Sequence, residues 1–415
     1  MSLRNGWTGG QYSCFRAIFG IYLCVHFAGL VPWGPEMFSN TGVISDASAS
    51  PLLYLFPNIL AVFDSPFFVT VFLLSGTLLS VFFAVGYFDR AAALGLWYIW
   101  ACLLGRNPLI SNPSLPYIGL LLLAHCCLPR APYGSLTRRR QPDPGTDWRM
   151  PQSIFLVVWI LMALGYTYSG YTKLVSPSWT AGTAIARVLA NPLARENFLN
   201  RALIGLPEGV LKLITWGALA LELSFAPLAL FRRTRPYIWG LMIAMHVGLI
   251  TLIDFADLSF GMVMLQLFTF DPAWIRPKEA MSTEMIFYDG HCGLCHRVVR
   301  FVLAEDRAGD SFRFSPLNSE IFKSTVDEEP TVRLPDSIVV RTSDGSLLVK
   351  SNALSHLGKR LGGIWRLLAG CVEIVPESTR DKAYDWVARF RHRLFRAPTE
   401  ACPLLPAHLR RRFDY

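Results

Sequence analysis

Cys292 and Cys295 lie in the stretch YDGHCGLCH at 288–296, between a short apolar run (Met285 to Tyr288) and a segment with helical spacing formed by Val298, Val299, Phe301, Val302 and Leu303. This pattern sets a dithiol on a strand-to-helix turn. Backbone N–H groups and the positive end of the helix dipole there favour a thiolate over a thiol, so Cys292 is placed to attack a disulfide. Cys295 follows as the thiol that resolves the mixed disulfide. About 275 residues of membrane-type sequence precede the motif, and a function for the chain has to use both parts.

The elements around the dithiol explain that contrast. The chain has 415 residues, 52% of them hydrophobic and 13% aromatic, and a mean hydropathy of +0.36. That is too apolar for an ordinary soluble protein. The excess lies before Trp274, while the sequence after Arg276 has mixed polarity. The division expected is therefore a membrane domain over 1–275 and an α/β domain over 276–415. A net charge of +9 accompanies no basic stripe with interleaved aromatics, so nucleic acid is excluded as a partner. The arginines instead crowd short loops between apolar runs, as positive-inside bias requires. Nine cysteines make no disulfide framework, because Cys14, Cys24, Cys102, Cys126 and Cys127 fall in or beside apolar spans. Cys371, in LLAGCVEIV, reads as core.

Apolar runs able to cross a bilayer, or nearly so, occur at about 14–32, 66–87, 91–105, 115–129, 151–171, 208–231, 235–253 and 258–275. The expected membrane part is all-α with about eight transmembrane helices, the first of them uncleaved. Segment 36–63, broken by Ser, Asn, Asp and Pro, suits an interfacial or re-entrant loop. Loop 130–150 carries Arg130, Arg138, Arg139, Arg140 and Arg149, and Arg232, Arg233 and Arg235 follow the sixth span, whereas loop 33–65 has no Lys or Arg. Both termini are expected to be cytoplasmic, in a multi-pass protein of the bacterial inner-membrane type.

Ionisable groups at membrane depth cost roughly 2.5–3.5 kcal/mol by insertion scales, so each invites a functional question. Glu222 and His246 fall near the middle of their spans, as partners for each other or as ligand-binding groups. A bland alternative is interhelical hydrogen bonding. His26 and His125 read as structural or interfacial. Lys173 ends the fifth span in GYTYSGYTKLVSPSW, either as a snorkelling anchor or as a desolvated general base.

The stretches GYTYSGYTKLVSPSWTAGTAIARVL, LELSFAPLALFRRTRP and AMHVGLI resemble the HTTM membrane domain, the type found in vitamin K-dependent gamma-carboxylase. The resemblance implies a pocket for a quinone or another lipid-like molecule, with Lys173 as base and Trp179 downstream of it. It breaks at NPSLPYIGLL (112–121), where Pro113 stands in place of the carboxylase histidine, which argues against glutamate carboxylation.

Beyond Arg276 the expected order is a strand at 284–288, a helix opening at Cys292, strands at 311–315, 337–341 and 347–350, and helices from about 352, a thioredoxin-like series. Pro335 precedes the third strand, where that fold carries a cis-proline facing the dithiol. The segments YDGHCGLC, FRFSPLNSE, LPDSIVV, SNALSHLGKRLGG and RDKAYDWVARFRHRLF resemble the DCC family of thiol-disulfide oxidoreductases. The resemblance implies Cys292 as nucleophile, Cys295 as resolver and Asp289 as a signature residue that holds the loop or accepts a proton from Cys295.

Two rivals exist for CGLCH. It is the attachment signature for c-type haem, with His296 as axial ligand, but attachment occurs in the compartment that the loop charges oppose. A zinc site lacks a second closely spaced ligand pair, since Cys371 and Cys402 are far apart in sequence, and no metal set is assigned. The sequence thus points to a membrane-bound oxidoreductase acting on a thiol or disulfide of a protein or small molecule, with a quinone as the candidate membrane cofactor. The alternatives are a lipid-binding or transport protein with a redox-regulatory domain, or, as the HTTM resemblance implies, a gamma-carboxylase-like quinone-dependent enzyme. Lys173 is expected at the outer end of its helix and Cys292 inside, which separates the two candidate centres by about a bilayer thickness.

Overall fold

The computed structural model describes residues 5–139, 141–254, 256–327, 338–394 and 406–414. Pro335 and Cys402 lie outside the described residues. Two compact units divide the chain: Phe15–Leu128 with Pro151–Phe270, a helical unit, and Met1–Cys14, Pro129–Met150 and Asp271–Tyr415, a dithiol unit. The second unit is therefore discontinuous, and residues 1–14 and 129–150 group with the C-terminal residues instead of with the helices that flank them in sequence. Buried polar groups explain why. Asn5 Nδ2 donates to Met150 O (3.1 Å), Gly6 N–H to Asp271 Oδ1 (2.7 Å) and Ile364 N–H to Gln11 Oε1 (3.0 Å).

Each of the eight apolar runs forms a helix: α1 (Gly9–Leu30), α2 (Pro66–Val85), α3 (Asp89–Arg106), α4 (Leu115–Cys127), α5 (Gln152–Lys173), α6 (Glu208–Ala229), α7 (Arg235–Leu252) and α8 (Ala256–Thr269). Among the described residues, α1, α2, α5, α6 and α7 are long and apolar enough to cross a membrane, and α4 and most of α8 are shorter apolar helices. Local chemistry sets the ends. On α2, Ser65 Oγ accepts the Phe68 N–H (3.3 Å), Pro66 occupies the first turn, and Gly86 closes the helix at φ +72°. Any side chain at Gly86 is strained by that φ and also meets the Arg16 guanidinium at 2.6 Å. Arg16 in turn lies 3.5 Å from Asp89, which also faces His125 Nε2 at 3.5 Å, so the buried cation and imidazole share one carboxylate.

In the dithiol unit the elements alternate: β1 (Glu284–Tyr288), α9 (Gly293–Glu305), β2 (Phe312–Pro316), α10 (Glu320–Asp327), β3 (Val339–Arg341), β4 (Leu347–Val349), α11 (Lys350–Leu361), α12 (Gly363–Glu373) and α13 (Glu377–Leu394). The sheet order is β2-β1-β3-β4, with β1 parallel to β2 and antiparallel to β3. This is the thioredoxin-like arrangement the sequence predicts. Four of the five β1 residues are buried, as a central strand covered on both faces requires. Cys295, Val299, Val302 and Leu303 form the buried stripe of α9 and pack with Ile286, Phe312, Phe314 and Val340.

A segment that sequence periodicity does not reveal completes the sheet. Phe314 N–H donates to Arg412 O (2.9 Å), Asp414 N–H donates to Phe314 O (2.8 Å), and the Phe413 ring stacks on Phe314 at 5.0 Å. Residues 412–414 thereby pair along β2 and cover what is otherwise an open strand edge.

Glu284 anchors the start of β1. It accepts from His356 Nε2 (2.8 Å) and Arg360 Nε (3.2 Å) on α11. Burial pushes this carboxyl up, but the His356 hydrogen bond and the His356 and Arg360 charges outweigh it and hold the group below its ordinary range. A depressed carboxylate contributes stability that is present above its unfolded value and lost as pH falls through its folded value. Acidification is therefore expected to speed hydrogen exchange of β1 and α11 amides more in the native chain than in Glu284→Gln, and equal acceleration in both would sink this assignment.

Candidate functional site

The dithiol sits where β1 hands over to α9. Cys292 is the N-cap of α9, extended at φ −99°, ψ 115°, and its sulfur accepts the Cys295 N–H at 3.5 Å. The cap places Sγ over the first turn, where unpaired N–H groups and the helix dipole stabilise negative charge. Asp289 holds the approach to the cap: its carboxylate accepts the His291 N–H (2.8 Å) and its carbonyl accepts the Cys292 N–H (3.3 Å). His296 Nε2 donates to Gly290 O (2.8 Å), which fixes its tautomer and ties it into the same turn. This use of His296 runs against a role as haem ligand.

Both sulfurs are unbridged and nearly inaccessible, with Cys292 at 0% and Cys295 at 3% exposure. Cys295, together with Leu294, Val298, Phe301, Ile338 and Leu354, lines an apolar cavity of about 870 Å³ in the same unit. Cys371, expected in the core, is instead exposed. It lies on the face of α12 that also leaves Leu367, Leu368 and Val372 open, because Ala369 turns the other face inward.

At the far end of α9 stands a carboxylate the sequence does not single out. Glu305 accepts hydrogen bonds from Thr8 Oγ1, from the Gly10 N–H (2.7 Å) in the first turn of α1 and from Trp365 Nε1 (2.6 Å). Burial pushes its carboxyl above the ordinary range, opposed only in part by these donors.

In the helical unit, Lys173, Glu222 and Trp179 converge. Lys173 Nζ lies 2.5 Å from both Glu222 carboxylate oxygens, 3.2 Å from Ser169 Oγ and 4.6 Å from the centre of the Trp179 ring. The sequence offered His246 as a partner for Glu222, and the structure corrects this. His246 Nε2 bonds Tyr166 Oη (2.8 Å), which also accepts from Gln266 Nε2 (2.9 Å). Helical spacing cannot tell which face of a neighbouring helix a buried polar group meets. Lys173→Ala strands the buried Glu222 carboxylate and is expected to cost about 3 kcal/mol of helical-unit stability. Lys173→Ala with Glu222→Gln should recover most of it in a thermal melt in detergent, and a double variant as unstable as the single one would contradict the pairing.

A second polar cluster joins residues that the sequence treats separately. Asp257 Oδ1 accepts from Tyr22 Oη (3.0 Å) and lies 3.1 Å from His26 Nδ1, beside a small cavity of about 120 Å³ walled by Trp100, Leu103 and Leu115.

Residues 10–274 match the HTTM domain. The chain belongs to the HTTM family. Residues 286–397 of this HTTM protein match the DCC1-like thiol-disulfide oxidoreductase family. The chain is 30% identical over 138 residues to the uncharacterized protein YuxK of Bacillus subtilis (strain 168), covering 33% of this chain and 97% of that protein. It is also 30% identical over 137 residues to a chloroplastic DCC family protein of Arabidopsis thaliana, covering 32% of this chain and 77% of that one. No solved structure matches. The HTTM protein is thus a membrane protein fused to a DCC-type thioredoxin-like domain.

Proposed function

We propose that the HTTM protein is a membrane-held thiol-disulfide oxidoreductase that uses Cys292 as nucleophile and Cys295 as resolving thiol. The observation that carries this reading is the position of Cys292 at the N-cap of α9, with its sulfur accepting the Cys295 N–H. In the reducing direction the Cys292 thiolate attacks a substrate disulfide. The substrate S–S bond breaks, a mixed disulfide forms, and the departing substrate thiolate takes up a proton. Cys295, after losing its proton, attacks Cys292 Sγ and releases the second substrate thiol, leaving a Cys292–Cys295 disulfide. Two electrons have then passed from the dithiol to the substrate, and a dithiol donor restores the enzyme. Asp289 acts by holding the turn.

The loop charges support a cytoplasmic dithiol unit, a reducing setting that favours disulfide reduction or exchange over disulfide installation. Burial of Cys292 favours a small or extended substrate that enters beside Cys295 over a folded protein surface. A quinone or another lipid-like ligand in the membrane half is the companion proposal, resting on the convergence of Lys173, Glu222 and Trp179. Lys173 is paired with Glu222 and covers the Trp179 face, and no step of the proposed reaction passes through the cluster. Mass spectrometry of the protein purified in mild detergent tests the companion: a stoichiometric quinone supports it, and phospholipid alone in both the native chain and Lys173→Ala removes it. Disulfide-reductase assay of the full-length chain tests the dithiol chemistry, as argued below.

A further inference from the structure

Four arginines from two distant stretches of sequence surround one cavity of about 380 Å³ in the dithiol unit. Arg138 and Arg139 come from segment 129–150, Arg297 and Arg300 from α9, and Tyr133 and Ser135 complete the wall. Backbone and carboxylate tethers fix where these cations stand. Arg300 donates through Nη1 to Pro142 O (2.8 Å) and through Nη2 to Gln141 O (2.7 Å). Arg138 Nε donates to Asp143 O (3.1 Å), and its Nη2 lies 3.7 Å from Asp143 Oδ1. Tyr133 Oη donates to Arg297 O (3.4 Å), locking α9 to the segment. Arg139 and Arg297 remain exposed at the cavity.

Positive-inside bias explains why loops carry arginine, but it does not require arginines from a loop and from the dithiol helix to meet around a common space. No carboxylate is among the described residues that line the cavity, and Asp143 beside Arg138 offsets only part of four like charges, so a bound anion relieves their repulsion. Guanidinium forks match the oxygens of a phosphate in a way that single point charges do not.

We propose that this cavity binds a phosphate-bearing anion, supplied either by a phospholipid headgroup or by a soluble phosphate compound. The site is not the dithiol itself, although Tyr133 and Arg297 also line the apolar cavity beside Cys295.

The test uses the full-length protein in neutral detergent, titrated with inorganic phosphate and with dihexanoyl phosphatidylglycerol, and read by calorimetry and by the shift in unfolding midpoint. Dihexanoyl phosphatidylcholine, whose choline cancels the headgroup charge, is the lipid control. Saturable binding of either anion, weakened about tenfold in the Arg139→Gln, Arg297→Gln double variant, is the expected result. Arg233→Gln, outside the cavity, should bind as the native chain does. Phosphatidylglycerol that competes with phosphate, where phosphatidylcholine does not, identifies the headgroup as the source. Phosphate that binds without such competition identifies a soluble compound. Absence of saturable binding, or equal affinity in the double variant and the native chain, overturns the proposal. Both substituted side chains are exposed, so an unchanged unfolding midpoint without ligand separates lost binding from lost folding.

Discussion

Cys292→Ser in the full-length chain is expected to lower disulfide-reductase turnover by roughly 10³-fold or more, because a hydroxyl at the N-cap of α9 supplies no thiolate at neutral pH. Cys295→Ser is expected to fail differently. Its Cys292 still attacks, no second thiol resolves the adduct, and the enzyme accumulates as a mixed disulfide that added dithiothreitol releases. Intact-protein mass spectrometry distinguishes the two: a substrate-sized mass gain in Cys295→Ser and none in Cys292→Ser. Undiminished turnover in Cys292→Ser would falsify the assignment outright. An adduct that maps to Cys295 in the native chain would instead reverse the roles, an outcome with some geometric appeal because Cys295 and not Cys292 lines the 870 Å³ cavity. The full-length chain is the proper sample, since the dithiol unit also contains residues 1–14 and 129–150 and a fragment beginning near residue 276 lacks both.

Glu305 gives the second large effect. Glu305→Ala removes the acceptor for Thr8 Oγ1, the Gly10 N–H and Trp365 Nε1 in a buried setting, and should cost about 3 kcal/mol of dithiol-unit stability. Glu305→Gln keeps an acceptor without a charge and separates hydrogen bonding from ionisation. The folded carboxyl titrates above its ordinary value of 4.5, so its favourable contribution is complete below that value and is lost as pH rises through the raised folded one. As pH rises from below the ordinary carboxyl value through the raised folded one, the native chain should therefore lose stability relative to Glu305→Gln, as read by hydrogen exchange of α9 amides. Parallel curves for the two proteins would show that Glu305 titrates alike folded and unfolded, and the burial argument would fail.

Much of this architecture is legible in the sequence because it is local. The apolar runs mark the eight helices, the β1 strand falls at 284–288 as its continuous apolar character predicts, and the dithiol marks the opening of α9 through the need for a capped turn. What escapes is long-range and polar. No periodicity assigns Thr8 and Gln11 to the dithiol unit, since those residues are recognised only through donors and acceptors far away in sequence. For the same reason Glu222 and Lys173 are each visible as ionisable groups in or at the end of a span, while their pairing is not. Cys371 misleads because an apolar neighbourhood resembles a core when only one face of the helix is inward. Residues 412–414 carry no strand signal of their own and gain extended structure from the β2 edge they cover.

The discontinuity of the dithiol unit also has a bearing on biosynthesis. Thr8 and Gly10 are translated far ahead of Glu305, and segment 129–150 ahead of Arg300, so the first turn of α1 leaves the ribosome before its acceptor exists. Until α9 follows, chaperone or water must satisfy those donors. Maturation of the redox centre is thus expected to wait on α9, however early the membrane helices insert.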